Sequence, residues 1–162
     1  MTSDLPTSIP GVELRELTSG DAVAIFDLAA RNRGHLTRFG DYEDLAASTL
    51  EDFEADLSEP PDDSLRMGIW RSDELMGRVD LHRVAPRTFV LGYWIGSEYA
   101  GNGYVTESCR ALMDHARRVL DATEFWAGVR HVNHPSAGVV RRLGFSVFEE
   151  LATRTRYRLR CS

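Results

Sequence analysis

The period of the hydrophobic positions changes several times along the chain, and each change predicts an element. Residues 12–17 (Val-Glu-Leu-Arg-Glu-Leu) alternate apolar and polar, as a half-buried strand does. From Val23 the apolar positions Ile25, Phe26, Leu28 and Ala29 fall on one face of a helix that Ser19 or Asp21 can cap and Gly34 ends. A second apolar stripe, Leu45, Ala46, Leu50, Phe53 and Leu57, predicts a helix over 41–57, broken by Glu59-Pro60-Pro61-Asp62-Asp63. Three strand-like runs follow at 65–70, 75–83 and 88–95, and their short connections predict antiparallel hairpins. A glycine-bearing loop, 97–103, leads into a strongly periodic helix over 104–120. A strand at 124–129, a helix at 135–143 ended by Gly144, and strands at 145–148 and 155–159 complete the order. The pattern predicts one mixed α/β domain over residues 12–162 behind a flexible tail of residues 1–11.

Composition narrows the class. A chain of 162 residues suits one domain, and 43% hydrophobic with 27% charged residues is the balance of a soluble globular protein. No apolar run approaches the ~20 residues of a membrane span, and the first residues lack the basic and apolar regions of a secretory signal. The two cysteines, Cys109 and Cys161, have no metal-binding spacing and read as reduced thiols, so the expectation is a cytoplasmic protein without a metal.

Charge adds a second pattern. All 19 basic residues are Arg, and they are unevenly placed: residues 1–65 hold 15 acidic residues against 4 Arg, whereas residues 66–162 hold 10 against 15. The segment 41–63 carries ten acidic residues and no basic one. A net charge of −6 argues against a nucleic-acid partner. The split fits a protein that takes an anion with one half and a cation with the other; a solvated acidic helix explains it as well.

The candidate chemistry begins at Gly101-Asn102-Gly103, which joins a strand to a helix. Glycines there let backbone N–H groups face outward beside the positive end of the helix, a site for a pyrophosphate. The loop is neither a Walker A sequence nor a GxGxxG fingerprint. Some thirty residues on stands Asn133-His134-Pro135-Ser136, running to Leu143-Gly144-Phe145. Taken with Gly92-Tyr93-Trp94, with Tyr99-Ala100-Gly101-Asn102-Gly103-Tyr104, with Thr106-Glu107 and with the early Asn32-Arg33-Gly34-His35-Leu36, the chain resembles the GNAT superfamily of N-acetyltransferases. Within it, the chain is most similar to the ribosomal-protein N-terminal acetyltransferases of the RimJ/RimL type.

That resemblance implies a single-domain fold with a central, mostly antiparallel twisted sheet of about six or seven strands, splayed at a central parallel pair and flanked by about four helices. It implies acetyl-CoA as co-substrate, lying between the strands 88–95 and 124–129, with no metal. Trp94, Ile95, Ala100, Gly101, Asn102, Gly103, Tyr104, Val105, Asn133 and Ser136 would bind it, and His35, Phe39 and Tyr93 would meet the acceptor. The implied reaction is direct attack by a primary amine, of a protein N-terminus or a cationic small molecule, with N–H groups at a strand bulge polarising the thioester. A longer acyl-CoA or acyl carrier protein as donor, or a non-catalytic acyl-CoA-binding module, are the alternatives.

The chain departs from the family pattern at four positions. Ala100 stands where the loop has Gln or Arg, Val105 where it has a small residue, Val140 where many members carry a tyrosine acid, and Val90 where the subgroup has a glutamate. Ser136 is then the candidate acid, although it can also serve only as a helix cap. Asp80 and His82, two apart on one face of the strand 75–83, are the candidates for the base, and a solvated strand face is the alternative. The alternating arginines of 154–160 leave open a contact with phosphates, with water or with a second copy in a homodimer.

Overall fold

The computed structural model describes residues 4–59 and 64–161. Eight strands form one sheet: β1 (Leu5–Pro6), β2 (Val12–Glu16), β3 (Leu65–Arg71), β4 (Glu74–Ala85), β5 (Thr88–Ile95), β6 (Glu124–Arg130), β7 (Ser146–Glu150) and β8 (Arg154–Arg160). Their spatial order is β1-β2-β3-β4-β5-β6-β8-β7. Six helices accompany them: α1 (Ala22–Arg31), α2 (Arg33–Thr37), α3 (Glu43–Ala47), α4 (Leu50–Ser58), α5 (Tyr104–Leu120) and α6 (His134–Arg142).

Neighbouring strands are antiparallel except β5 and β6, which run parallel and pair only at Thr88–Glu124, Phe89–Phe125 and Val90–Trp126. Beyond Val90 the two strands part. The edge of β5 from Leu91 to Ile95 is left unpaired on that side, with backbone groups free to bond something other than a strand. This V-shaped opening is the main consequence of the topology.

Strand alternation assigns the two faces. In β4, Val79 and Leu81 are completely buried, while Arg78 and Asp80 point the other way, where Asp56 of α4 meets Arg78 at 3.1 Å. Gly92 lies opposite Asp80 and Val90 opposite His82, so these share the face covered by α1 to α4. Tyr93 points to the opposite face, where its hydroxyl reaches Ser136 of α6. Phe89 and Phe125, buried and with ring centroids 6.3 Å apart, close the V where the strands still pair.

The structure departs from the sequence reading at three places. The helix expected over 41–57 is two helices, because Thr49 sits in extended backbone and starts α4 with a reciprocal cap. Its hydroxyl accepts from the Asp52 N–H at 3.2 Å, and the Asp52 carboxylate accepts from the Thr49 N–H at 2.8 Å. The residues expected to break that helix lie, from 60 to 63, outside the described residues. Part of the expected tail is in the sheet: Leu5 and Pro6 pair with Leu14 and Glu13, giving the eighth strand. Finally, the first helix ends at Arg31 rather than Gly34, and Gly34 lies inside α2.

Candidate active site

A cavity of about 600 Å3 runs from the start of α5 to the mouth of the splayed strands. At its first end, Gly101 and Gly103 both adopt left-handed backbone (φ +81° and +79°) with open space where a side chain would stand. The first intrahelical bond of α5 runs from the Glu107 N–H to the Gly103 carbonyl, so the N–H groups of Tyr104, Val105 and Thr106 have no helical partner. A seventeen-residue helix therefore ends in a concave set of free donors with its positive pole behind them.

Most of the residues proposed for cofactor contact line this cavity: Trp94, Ile95, Ala100, Gly101, Gly103, Tyr104, Val105, Asn133 and Ser136. Asn102 does not. Its carboxamide turns inward and donates to the carbonyls of Tyr99 at 3.1 Å and Ala100 at 3.3 Å, so its part is to hold the loop's shape. Arg38, Arg110 and Arg142 also line the cavity, and no motif pointed to them. Arg110 leans on Glu107 at 3.3 Å, and Arg142 donates to the Thr106 hydroxyl at 3.4 Å. The only trace of them in the sequence is spacing: Arg110 follows Thr106 by four residues and so shares its helix face.

Asn32 explains the early Asn-Arg-x-His-Leu segment. Its buried carboxamide donates to the Leu28 carbonyl at 2.8 Å and accepts from both the N–H (2.9 Å) and the hydroxyl (3.0 Å) of Ser97. It thus pins the segment that follows β5, from which the glycine loop departs, to the end of α1.

At the other end of the cavity stand Tyr93 and Ser136, their hydroxyl oxygens 2.6 Å apart. The Tyr93 hydroxyl also donates to the Ser136 carbonyl at 3.1 Å. Burial holds the Tyr93 phenol well above its ordinary pKa, so it stays protonated and acts as a donor. Asn133 caps α6: its side-chain oxygen accepts from the Ser136 N–H at 3.2 Å, and its amide donates to Asp41 at 2.9 Å. The helix-cap contact in this chain is made by Asn133 and the Ser136 backbone, which leaves the Ser136 hydroxyl facing Tyr93.

The segment from His35 to Tyr42 follows the free edge of β5. Tyr42, in left-handed backbone (φ 58°), donates its hydroxyl to the Tyr93 carbonyl. His35 meets the Ile95 backbone, while burial and Arg38 hold its imidazole pKa below the ordinary value. His35, Phe39 and Tyr93, the residues proposed for the acceptor, all line the same cavity.

Asp80 and His82 lie on one face of β4, the α1-to-α4 side, and they do not line the cavity. Asp80 is held by Arg78 at 3.0 Å; burial raises its carboxyl while Arg78 draws it down. His82 is exposed, with its Nδ1 2.9 Å from the Ser64 hydroxyl. It sits directly across from Val90, the position at which the subgroup carries a glutamate. The structure does not bring either residue to Ser136. The expected bulge also lies elsewhere: β4 and β5 keep a regular register from Gly77–Ile95 to Arg83–Phe89, and shift only between Arg83 and Ala85, at the closed end of the V.

Residues 12–146 match the acetyltransferase (GNAT) domain family. The chain belongs to the GNAT family. A putative ribosomal N-acetyltransferase, YdaF of Bacillus subtilis, is 30% identical over 83 residues, covering 50% of this chain and 45% of that protein. A ribosomal-protein-serine acetyltransferase of Escherichia coli is 30% identical over 79 residues, covering 48% and 44%. The alignment thus spans less than half the length of these two GNAT relatives. The fold is shared more widely: a RimL ribosomal L7/L12 alpha-N-protein acetyltransferase solved with coenzyme A superposes with a TM-score of 0.83 at 20% identity, over 98% of each chain. A RimJ of Mycobacterium smegmatis in complex with CoA-disulfide gives 0.77 at 21%, over 98% of this chain and 86% of the other.

Proposed function

We propose that this protein transfers the acetyl group of acetyl-CoA to a primary amine, as a cytoplasmic enzyme whose acceptor is the N-terminus of a protein. The observation that carries this reading is the cavity that begins at the free amides of α5 and ends at the Tyr93–Ser136 hydroxyl pair. The glycine loop, with Arg110 and Arg142 beside it, binds the pyrophosphate. The unpaired edge of β5 bonds the pantetheine amides. The family and the two relatives named for ribosomal proteins support the acceptor class.

The neutral amine attacks the thioester carbonyl. A C–N bond forms, the C–S bond breaks, and the departing thiolate takes the proton of the Ser136 hydroxyl. The Ser136 oxygen regains a proton through the Tyr93 hydroxyl 2.6 Å away, which takes one from the water that receives the amine's proton and so ends the cycle as a phenol. The proton lost by the ammonium leaves by water to bulk solvent, since Asp80 and His82 lie outside the cavity. The acceptor is cationic as it arrives, and Asp41, bonded to the Asn133 that caps Ser136, is a carboxylate that can draw it in. In the same reading the exposed edge strand β7, with Val147 and Phe148, is the surface of a homodimer.

Release of free CoA thiol on mixing acetyl-CoA with amidated peptides bearing free N-termini tests this. Turnover is expected for the native chain, with kcat lowered by about 10²-fold or more in Ser136→Ala. A protein that binds CoA but acetylates no amine, or an S136A variant with native kcat, overturns it.

A further inference from the structure

A second, smaller cavity of about 320 Å3 lies between the Gly40–Asp44 segment and strands β6 and β8. Tyr42 lines both cavities, and Asp41 of the smaller one accepts at 2.9 Å from Asn133, which lines the larger. One wall carries Asp41, Glu43 and Asp44; the other carries Arg130 and Arg154. Asp41 and Arg130 pair across the middle at 3.5 Å. Among the described residues Glu43, Asp44 and Arg154 have no ion-pair partner. Gly128 also lines it, with the Arg154 side chain passing 3.6 Å from where a Cβ would stand.

The cavity therefore opens between unpaired carboxylates on one wall and an unpaired guanidinium on the other. A monocation satisfies only the first and an anion only the second. A ligand carrying an ammonium and a carboxylate a few bonds apart satisfies both, with a charge-assisted contact at each end. The geometry points to an acceptor peptide with a free α-amino group and an acidic second residue, its carboxylate held by Arg154 and its ammonium drawn along Asp41 toward Ser136. This rests on the acetyl-transfer reading and narrows it: the acidic segment steers the amine, while Arg154 selects what is attached to the amine.

The test uses the CoA-loaded protein and three C-terminally amidated pentapeptides, Ala-Asp-Ala-Ala-Ala, Ala-Ala-Ala-Ala-Ala and Ala-Lys-Ala-Ala-Ala. Binding is measured by calorimetry and acetylation by thiol release from acetyl-CoA. The Asp peptide is expected to bind about tenfold tighter than the Ala peptide, and the Lys peptide weaker than both. Arg154→Gln should abolish the Asp preference while leaving the Ala peptide within about twofold, and N-acetylation of the Asp peptide should abolish its advantage as well. Equal binding of all three, no binding of any, or an Asp preference that survives R154Q overturns the assignment. Arg154-dependent binding without turnover of any peptide overturns acetyl transfer and leaves the cavity's ligand class standing. Turnover without discrimination does the reverse.

Discussion

Replacing Asn32 by Ala removes the buried side chain that joins the end of α1 to the segment from which the glycine loop departs. The carboxamide is buried, with 3% of its surface exposed, and makes three hydrogen bonds. The Asn32 N–H bonds Ala29, so the Leu28 carbonyl depends on the side-chain amide for its partner. The Ser97 N–H depends on the side-chain oxygen in the same way. Alanine orphans the buried Leu28 carbonyl and leaves the N–H of Ser97, an exposed residue, to water. At about 1–3 kcal/mol for a buried group left unsatisfied, the variant should lose about 1–3 kcal/mol. For a chain of this length that is a fall in Tm of about 3–9 °C, measurable by calorimetry or by the urea midpoint. Asn32→Asp keeps the acceptor for Ser97 but sets an anionic oxygen against the Leu28 carbonyl, so it should also be destabilised. CoA affinity should fall with both, because the glycine loop departs from Ser97. A Tm within about 2 °C of native for N32A would refute the view that this carboxamide anchors the donor site.

Two glycines should fail differently. A Cβ at Gly77 would collide with the Trp94 carbonyl and the Ile95 Cα, forcing β4 from β5 at the mouth of the V, so Gly77→Ala should lower Tm steeply. A Cβ at Gly103 meets nothing, and Gly103→Ala costs only the left-handed backbone, about 1–2 kcal/mol, with its main effect a raised KM for acetyl-CoA. Thr49→Ala should cost about 1 kcal/mol by removing the reciprocal cap of α4, read from the urea midpoint, with kcat unchanged. The His35 pKa is depressed in the fold, so the unfolded chain takes up this proton first as pH falls below about 6.5. Stability present above that pH is therefore lost on acidification until the folded pKa is passed. His35→Gln should flatten that part of the stability–pH curve, and an unchanged slope would remove His35 as its source.

The donor end of the site was legible in the sequence because it is local. Gly101, Gly103 and the start of α5 lie within four residues, and the cap at the start of α6 lies within another four, though Asn133 rather than Ser136 supplies its side chain. The antiparallel hairpins of β3 to β5 followed from strand spacing, and the central parallel pair from the resemblance. His35, Phe39 and Tyr93 were named from the sequence and line the cavity, but the bonds that frame its Tyr93–Ser136 end were not legible because they join distant pieces. Asp41 bonds Asn133, and Tyr42 bonds the backbone of Tyr93. Tyr42 does so from a left-handed conformation that no residue pattern around it announces. The break at Thr49 was hidden for a different reason: the apolar stripe from Leu45 to Leu57 runs straight through it, and packing preserved the stripe while the cap divided the helix.

The segregation of charge is the plainest case of a sequence count changing its meaning in three dimensions. The acidic segment does not present all its charge to a ligand. Asp52 is spent on the α4 cap, Asp56 on Arg66 and Arg78, and Asp41 is shared between Arg130 and Asn133. Three of those partners are arginines from the basic half of the chain, so the two halves largely neutralise each other where they pack. The Asp41–Arg130 pair is half-exposed and contributes little to stability, whereas Arg66 and Arg78 are largely buried, so removing Asp56 should cost more than a surface pair. Among the charges of the described residues left without an ion pair, Glu43 and Asp44 line one side of the small cavity and Arg154 the other. A field built from them has both signs within one ligand's length, so under the proposed acceptor reading it should discriminate by the separation of charges on the ligand rather than by their sum.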